Sequence, residues 1–151
     1  MVETEHKLSV LAKVAERLNQ AKVTWAVGAS LLLYLKGRTD IFHDIDIMVL
    51  ETDVERAKEI LSQMGKLQPA NPNVQYKTRV FLEYVIDGVD MDVMAGFVIV
   101  KDGQEYDCSL KKEEIVETIS VNGQQIPLQS LETWKYYYKL MGRDKKVKML
   151  E

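Results

Sequence analysis

Residues 44–50 read Asp-Ile-Asp-Ile-Met-Val-Leu, with acids and apolar residues in alternation. A two-residue period marks a strand with one face buried. Residues i and i+2 of a strand share a face, with Cα atoms roughly 7 Å apart. Asp44 and Asp46 are therefore aimed to one side, while Ile45, Ile47 and Val49 bury the other. Such a strand, expected over 43–50, needs a sheet and a core behind it and something polar in front of the acids.

The preceding residues lead into this strand in a defined order. Leu8, Leu11, Val14, Ala15 and Leu18 recur at helical spacing, predicting an amphipathic helix over about 5–20. An apolar run over 23–27 predicts a buried strand. Gly28-Ala29-Ser30 then turns the chain into a short helix over 31–36, with Gly37 placed as its C-terminal cap. Glycine at a strand-to-helix turn lets backbone approach a ligand closely. The N–H groups that open the helix, with the Ser30 hydroxyl, suit a phosphate.

After the acidic strand, Thr52 and Glu55 have capping-box spacing, predicting a helix to about residue 64 that closes at Gly65. The segment 68–73, with Pro69 and Pro72, is expected as a loop. Two strands follow, over about 74–86 and 89–100, joined by Asp87-Gly88, a strong hairpin signal. Asp102-Gly103 predicts a turn into a strand over 104–108, and Asn122-Gly123 joins a second hairpin over 115–127. Ser130 caps a helix over about 131–141, interrupted by Gly142, and 143–151 reads as a final helical turn or two.

The second hairpin strand holds another acidic doublet, Asp90 and Asp92, alternating with Val89, Met91 and Val93; Asp87 sits in the turn before it. If the two acidic strands are neighbours, three or four carboxylates converge. Two ionised carboxylates about 4 Å apart repel by about 4 kcal/mol at an effective dielectric of 20. Such a cluster holds protons, stays splayed in water, or binds cations. Oxygen donors without histidine or cysteine suit Mg²⁺ or Mn²⁺. A phosphate-binding turn one helix away from them is what metal-assisted phosphoryl or nucleotidyl transfer needs.

The ordered set Gly28-Ala29-Ser30, Asp44-Ile45-Asp46 and a later Asp92 or Asp90 resembles the nucleotidyltransferase fold of the DNA polymerase β superfamily. The chain is similar in size to its minimal members, and the segment from Arg38 to Asp46 to lincosamide- and aminoglycoside-type members. The resemblance runs from Val23 through the helix at Leu131. It implies an α/β (α+β) fold, a mixed sheet with helices mainly on one face. It also implies a metal-dependent enzyme moving a nucleoside monophosphate from an NTP to a hydroxyl of a small molecule, protein or RNA end.

On that resemblance Asp44 and Asp46 bind the metal that also holds the triphosphate. Asp92, favoured over Asp90, helps bind a second metal and activates the acceptor. Gly28 and Ser30 contact the β and γ phosphates, with Arg38 and Arg143 as further phosphate partners. Ala29 departs from the usual Gly or Ser, and Val147 stands where an acid is often found. The alternative is the same fold with weak or no catalysis, serving as the antitoxin-like partner of another protein.

The remaining features favour plainer roles. His43 borders the strand, Cys108 is a small apolar filler, and Lys145, Lys146 and Lys148 form a solvated face. Trp134 and Tyr136 to Tyr138 are mostly core, with one ring able to stack on a base. The 151 residues suggest one domain over 1–151, with its helical end at about 130–151. A formal charge of -3 argues against a sequence-blind nucleic-acid binder. One cysteine, a charged N-terminus and no apolar run of about 20 residues predict a cytoplasmic chain without a membrane span.

Overall fold

The computed structural model describes residues 3–69 and 78–151. Helix α1 (Thr4–Gln20) leads to strand β1 (Trp25–Val27), helix α2 (Ala29–Leu35) and strand β2 (Ile45–Val49). A single 3-10 turn (Glu51–Asp53) precedes α3 (Val54–Met64), which is followed by β3 (Lys66–Leu67), β4 (Val80–Ile86) and β5 (Val89–Ala95). The ribbon of β6 (Val98–Lys101) and β7 (Gln104–Asp107) comes next, then β8 (Ile115–Val121), β9 (Gln124–Gln129), α4 (Leu131–Met141) and α5 (Asp144–Met149).

Seven strands form one mixed sheet in the order β3-β4-β5-β2-β1-β9-β8. The β2–β5 and β1–β9 pairs are parallel; the others are antiparallel. The predicted mixed sheet is thus present, and the two acidic strands are direct neighbours. Ile45, Met91 and Tyr84 stand in register across β2, β5 and β4 and are buried. Helix α3 packs on that face: the Tyr84 hydroxyl bonds Ser62 at 3.1 Å and donates to the Lys58 carbonyl at 3.3 Å. Helix α1 lies beside α3, tied to it by Arg17 donating to Gln63. Asp46 and Asp92 are left on the opposite face, where α4 stands over one end.

Several boundaries moved. The strand predicted over 43–50 starts at Ile45, with Asp44 in a bend just before it. Phe42 is buried against Tyr34, ring centroids 4.9 Å apart, and its carbonyl accepts from Lys7 at 2.9 Å. Those contacts hold the chain off the ladder until residue 45. The strand predicted over 89–100 is two strands, because Gly96 takes a φ of 64° and turns the chain into β6. A Cβ there would lie 2.9 Å from Arg79. Thr52 does not cap α3. Asp53 precedes the helix, and its carboxylate instead accepts from the Thr24 N–H at 2.9 Å. The two-residue β3 was not expected. Part of the loop predicted over 68–73, and residues 74–77 of a predicted strand, lie outside the described residues. No helix among the described residues is long and apolar enough to cross a membrane.

Candidate active site

The parallel register of β2 on β5 places Asp46 directly across from Asp92, and antiparallel β4 places Glu83 on the other side of Asp92. A cavity of about 330 Å³ opens over this pair. Asp44, Asp46, Asp92, Ser30, His43 and Arg143 line its polar side. Phe81, Met94, Phe97, Trp134, Tyr138 and Met141 line the rest. Phe81 is in register with Met94, one strand step beyond Asp92, so the apolar wall begins where the acids end.

Three carboxyls here resist ionisation. Burial, then the charges of Asp92 and Asp44, pushes Asp46 well above the usual carboxylate range. Burial first, with Asp44 and Glu83, lifts Asp92 to about 6. Asp44 rises more modestly, through burial and the charge of Asp90. Asp46 and Asp92 share a hydrogen bond that favours the protonated form of Asp46 and the ionised form of Asp92. The pair thus keeps a proton more readily than ordinary carboxyls do. Like charges this close cannot both ionise cheaply.

The Gly28-Ala29-Ser30 turn borders the same cavity. The Gly28 N–H donates to the Asp46 carbonyl at 3.1 Å, tying the turn to the acidic strand. Gly28 is extended, with φ -134° and ψ -168°, so its conformation suits any residue; space is what demands glycine. A Cβ would lie 2.6 Å from the Trp134 indole. Ala29 takes a φ of 55°, the left-handed region that costs a non-glycine residue roughly 1–2 kcal/mol. Lys146 donates to Ser30 Oγ at 3.2 Å. Its ammonium is pushed below the ordinary lysine range by burial and by Arg143, while Asp46 pulls it upward. Arg143 carries its guanidinium 5.6 Å from the centre of the Tyr138 ring. Helix α2 has only seven residues, so the positive charge at this end comes mainly from the two side chains.

The structure therefore brings Ser30, Asp44, Asp46, Asp92 and Arg143 to one cavity, with Gly28 behind the turn. Asp90 is exposed on the same strand face as Asp92 and does not line the cavity, although its charge reaches Asp44 and Asp92. Arg38 is not brought in. It is exposed at the opposite end of α2, its N–H bonded to the Leu33 carbonyl, about 10 Å of helix away from Ser30. Lys146, read from sequence as part of a solvated face, is the cation that reaches the turn. Lys145 and Lys148 are exposed as expected. His43, which the sequence placed at the border of the strand with an acceptor contact as the other reading, lines the cavity; the wall of Phe81, Met94 and Phe97 gave no sign of doing so.

No group of three or more acids, histidines or cysteines among the described residues is arranged to hold a metal ion by itself. The Asp46–Asp92 pair still fits a hard divalent cation: its donors are all oxygen, it is short of positive charge, and it opens into a cavity. Mg²⁺ is commonly held by one or two carboxylates together with substrate phosphates.

The profile of the aminoglycoside-2''-adenylyltransferase family matches residues 10–149. A solved structure from Thermotoga maritima, presented as a candidate nucleotidyltransferase, is 30% identical and superposes with a TM-score of 0.74 over 99% of this chain and 92% of that one. ANT(2'')-Ia, solved with adenylyl-2''-tobramycin, is 11% identical with a TM-score of 0.65, over 96% of this chain and 87% of its own. The lincosamide antibiotic adenylyltransferase LnuA, solved with lincomycin, is 16% identical with a TM-score of 0.63, over 99% and 96%. These last two show likeness of fold. No curated protein matches the chain. The chain belongs to the aminoglycoside-2''-adenylyltransferase family and is a nucleotidyltransferase.

Proposed function

We propose that this chain moves a nucleoside monophosphate from an NTP to a hydroxyl acceptor, with Mg²⁺ or Mn²⁺ held by Asp44, Asp46 and Asp92. The observation that carries this reading is the pairing of Asp46 with Asp92 in one cavity with Arg143 and with Ser30, to which Lys146 donates. The metal, when bound, neutralises the triphosphate and the departing pyrophosphate. Ser30, Lys146 and Arg143 grip the β and γ phosphates. That leaves the α phosphorus over the carboxylates. The acceptor lies beyond Asp92, against Phe81, Met94 and Phe97. Asp92, which stands between Asp46 and the apolar wall, accepts the hydroxyl proton. The acceptor oxygen bonds to the α phosphorus as the bond to the bridging oxygen breaks and pyrophosphate leaves.

Aminoglycoside and lincosamide ligands occupy two relatives of this fold, so a small hydroxylated compound is the acceptor class to try first. Calorimetry with ATP and GTP in Mg²⁺ provides the test. Wild type binds one of them, and Asp44→Asn with Asp46→Asn binds at least about a hundredfold more weakly, as expected when an ion-mediated contact is lost. Equal binding by the two proteins removes the proposal.

A further inference from the structure

The turn between β1 and α2 carries two features that do not favour the folded state. Ala29 holds a positive φ. Beside it, the Gln129 side chain is 1% exposed, and its Nε2 has no hydrogen-bond partner among the described residues. An apolar residue of that size would leave no orphan there. Backbone strain of this kind persists where the surroundings over-determine the conformation, and it gathers where geometry matters to function.

The surroundings are specific. The Trp134 indole N–H donates to Gln129 Oε1 at 2.8 Å. An indole nitrogen only donates, so the amide oxygen must face it and the amide nitrogen is left over. The parallel pair Val27–Leu128 puts Gly28 and Gln129 at the next position of adjacent strands. The indole lies so near Gly28 that no Cβ fits between them. Amide, indole and glycine backbone thus form a continuous stack behind Ala29 and Ser30. Ser30 Oγ, at the end of it, meets Lys146.

We infer that Gln129 and Trp134 are positioning residues for the nucleotide: they brace the Gly28-Ala29-Ser30 turn in its strained form so that Ser30 and Lys146 meet the triphosphate together. This rests on the reading of that end of the cavity as the triphosphate end. The buried amide serves to fix the indole's rotation, which an apolar side chain would leave free. The pair therefore supports binding without adding to stability.

The double variant Gln129→Leu/Trp134→Phe removes both polar groups and keeps an aliphatic and an aromatic side chain in the core, with a small void where the second indole ring stood. Its melting temperature should fall by only a few degrees, because the void costs stability while a donor, an acceptor and an orphan vanish together. Its affinity for Mg²⁺-ATP or Mg²⁺-GTP, and for Mg²⁺ with inorganic tripolyphosphate, should fall roughly ten- to hundredfold, as small misplacements do. Adding Ala29→Gly should recover much of the loss, since glycine takes a positive φ unaided. Wild-type affinity in the double variant overturns the inference. So does affinity lost in step with melting temperature, or a triple variant as weak as the double. A wild-type protein that binds no nucleotide overturns the reading of the site, and the inference with it.

Discussion

Asp46 and Asp92 dominate the residue scale, and their pH behaviour follows from linkage. Their folded pKa values lie above the unfolded carboxylate value, Asp92 at about 6. Below about pH 4 both states are protonated and neither group alters stability. As pH rises, the unfolded chain releases these protons while the folded chain keeps them, so stability falls. The metal-free protein should lose at most roughly 2–3 kcal/mol through Asp92 between about pH 4 and 6.5. Asp46, held well above the usual carboxylate range by burial and by Asp92 and Asp44, adds to this decline as pH rises from the same starting point. Urea denaturation across pH 4–8 measures the slope. Asp46→Asn, which cannot ionise, should flatten it and leave the protein at pH 8 as stable as wild type or more so; a marked loss would make the carboxylates structural. The acid pair was legible because strand alternation fixes which side chains share a face. Lys146 was not, since its role depends on where the chain goes after Gly142, whose φ of 73° redirects α5 toward α2.

At the scale of elements, the three hairpin turns were readable because Asp-Gly and Asn-Gly supply two consecutive positive φ angles. They are found at Asp87-Gly88, Asp102-Gly103 and Asn122-Gly123. The break at Gly96 was not readable, since Val93 to Val100 is apolar on either side of it and shows no change of period. The meeting of β1 with α4 was equally hidden: a glycine at a turn suggested a ligand's approach, and the structure puts Trp134 there. That difference is measurable. Gly28→Ala adds a methyl group 2.6 Å from the indole at a backbone conformation alanine tolerates, so its cost is overpacking, about 1–3 kcal/mol. Thermal denaturation should show a drop of roughly 3–10 °C. The same substitution beside Trp134→Phe should lose less, because the smaller ring can withdraw. Equal losses in both backgrounds would remove the indole as the cause.

For the whole molecule, the sheet order β3-β4-β5-β2-β1-β9-β8 does not follow the chain, and local patterns carry no information about it. One of the two strands that flank β1 is β9, about a hundred residues later in sequence. That crossing brings α4 and α5 back over the acids, so one cavity is walled by residues from Ala29 to Arg143. Because β2 and β5 already sit on a core that includes Ile45, Ile47, Met91 and Val93, the fold does not need a metal to form. Chelation by EDTA should therefore leave the protein folded, with a single cooperative melting transition. Nucleotide with Mg²⁺ should raise it, because ligand binds only the assembled cavity. At a hundred times the dissociation constant the gain is about 2.7 kcal/mol, or roughly 5–10 °C for a chain of this length. The gain should shrink when nucleotide is added without metal, since the triphosphate would then lie against the acidic cluster of Asp44, Asp46 and Asp92 with no cation between them. It should vanish in Asp44→Asn/Asp46→Asn. Scanning calorimetry on the four combinations reads this directly. A metal-independent gain of the same size would assign nucleotide binding to Lys146 and Arg143 alone.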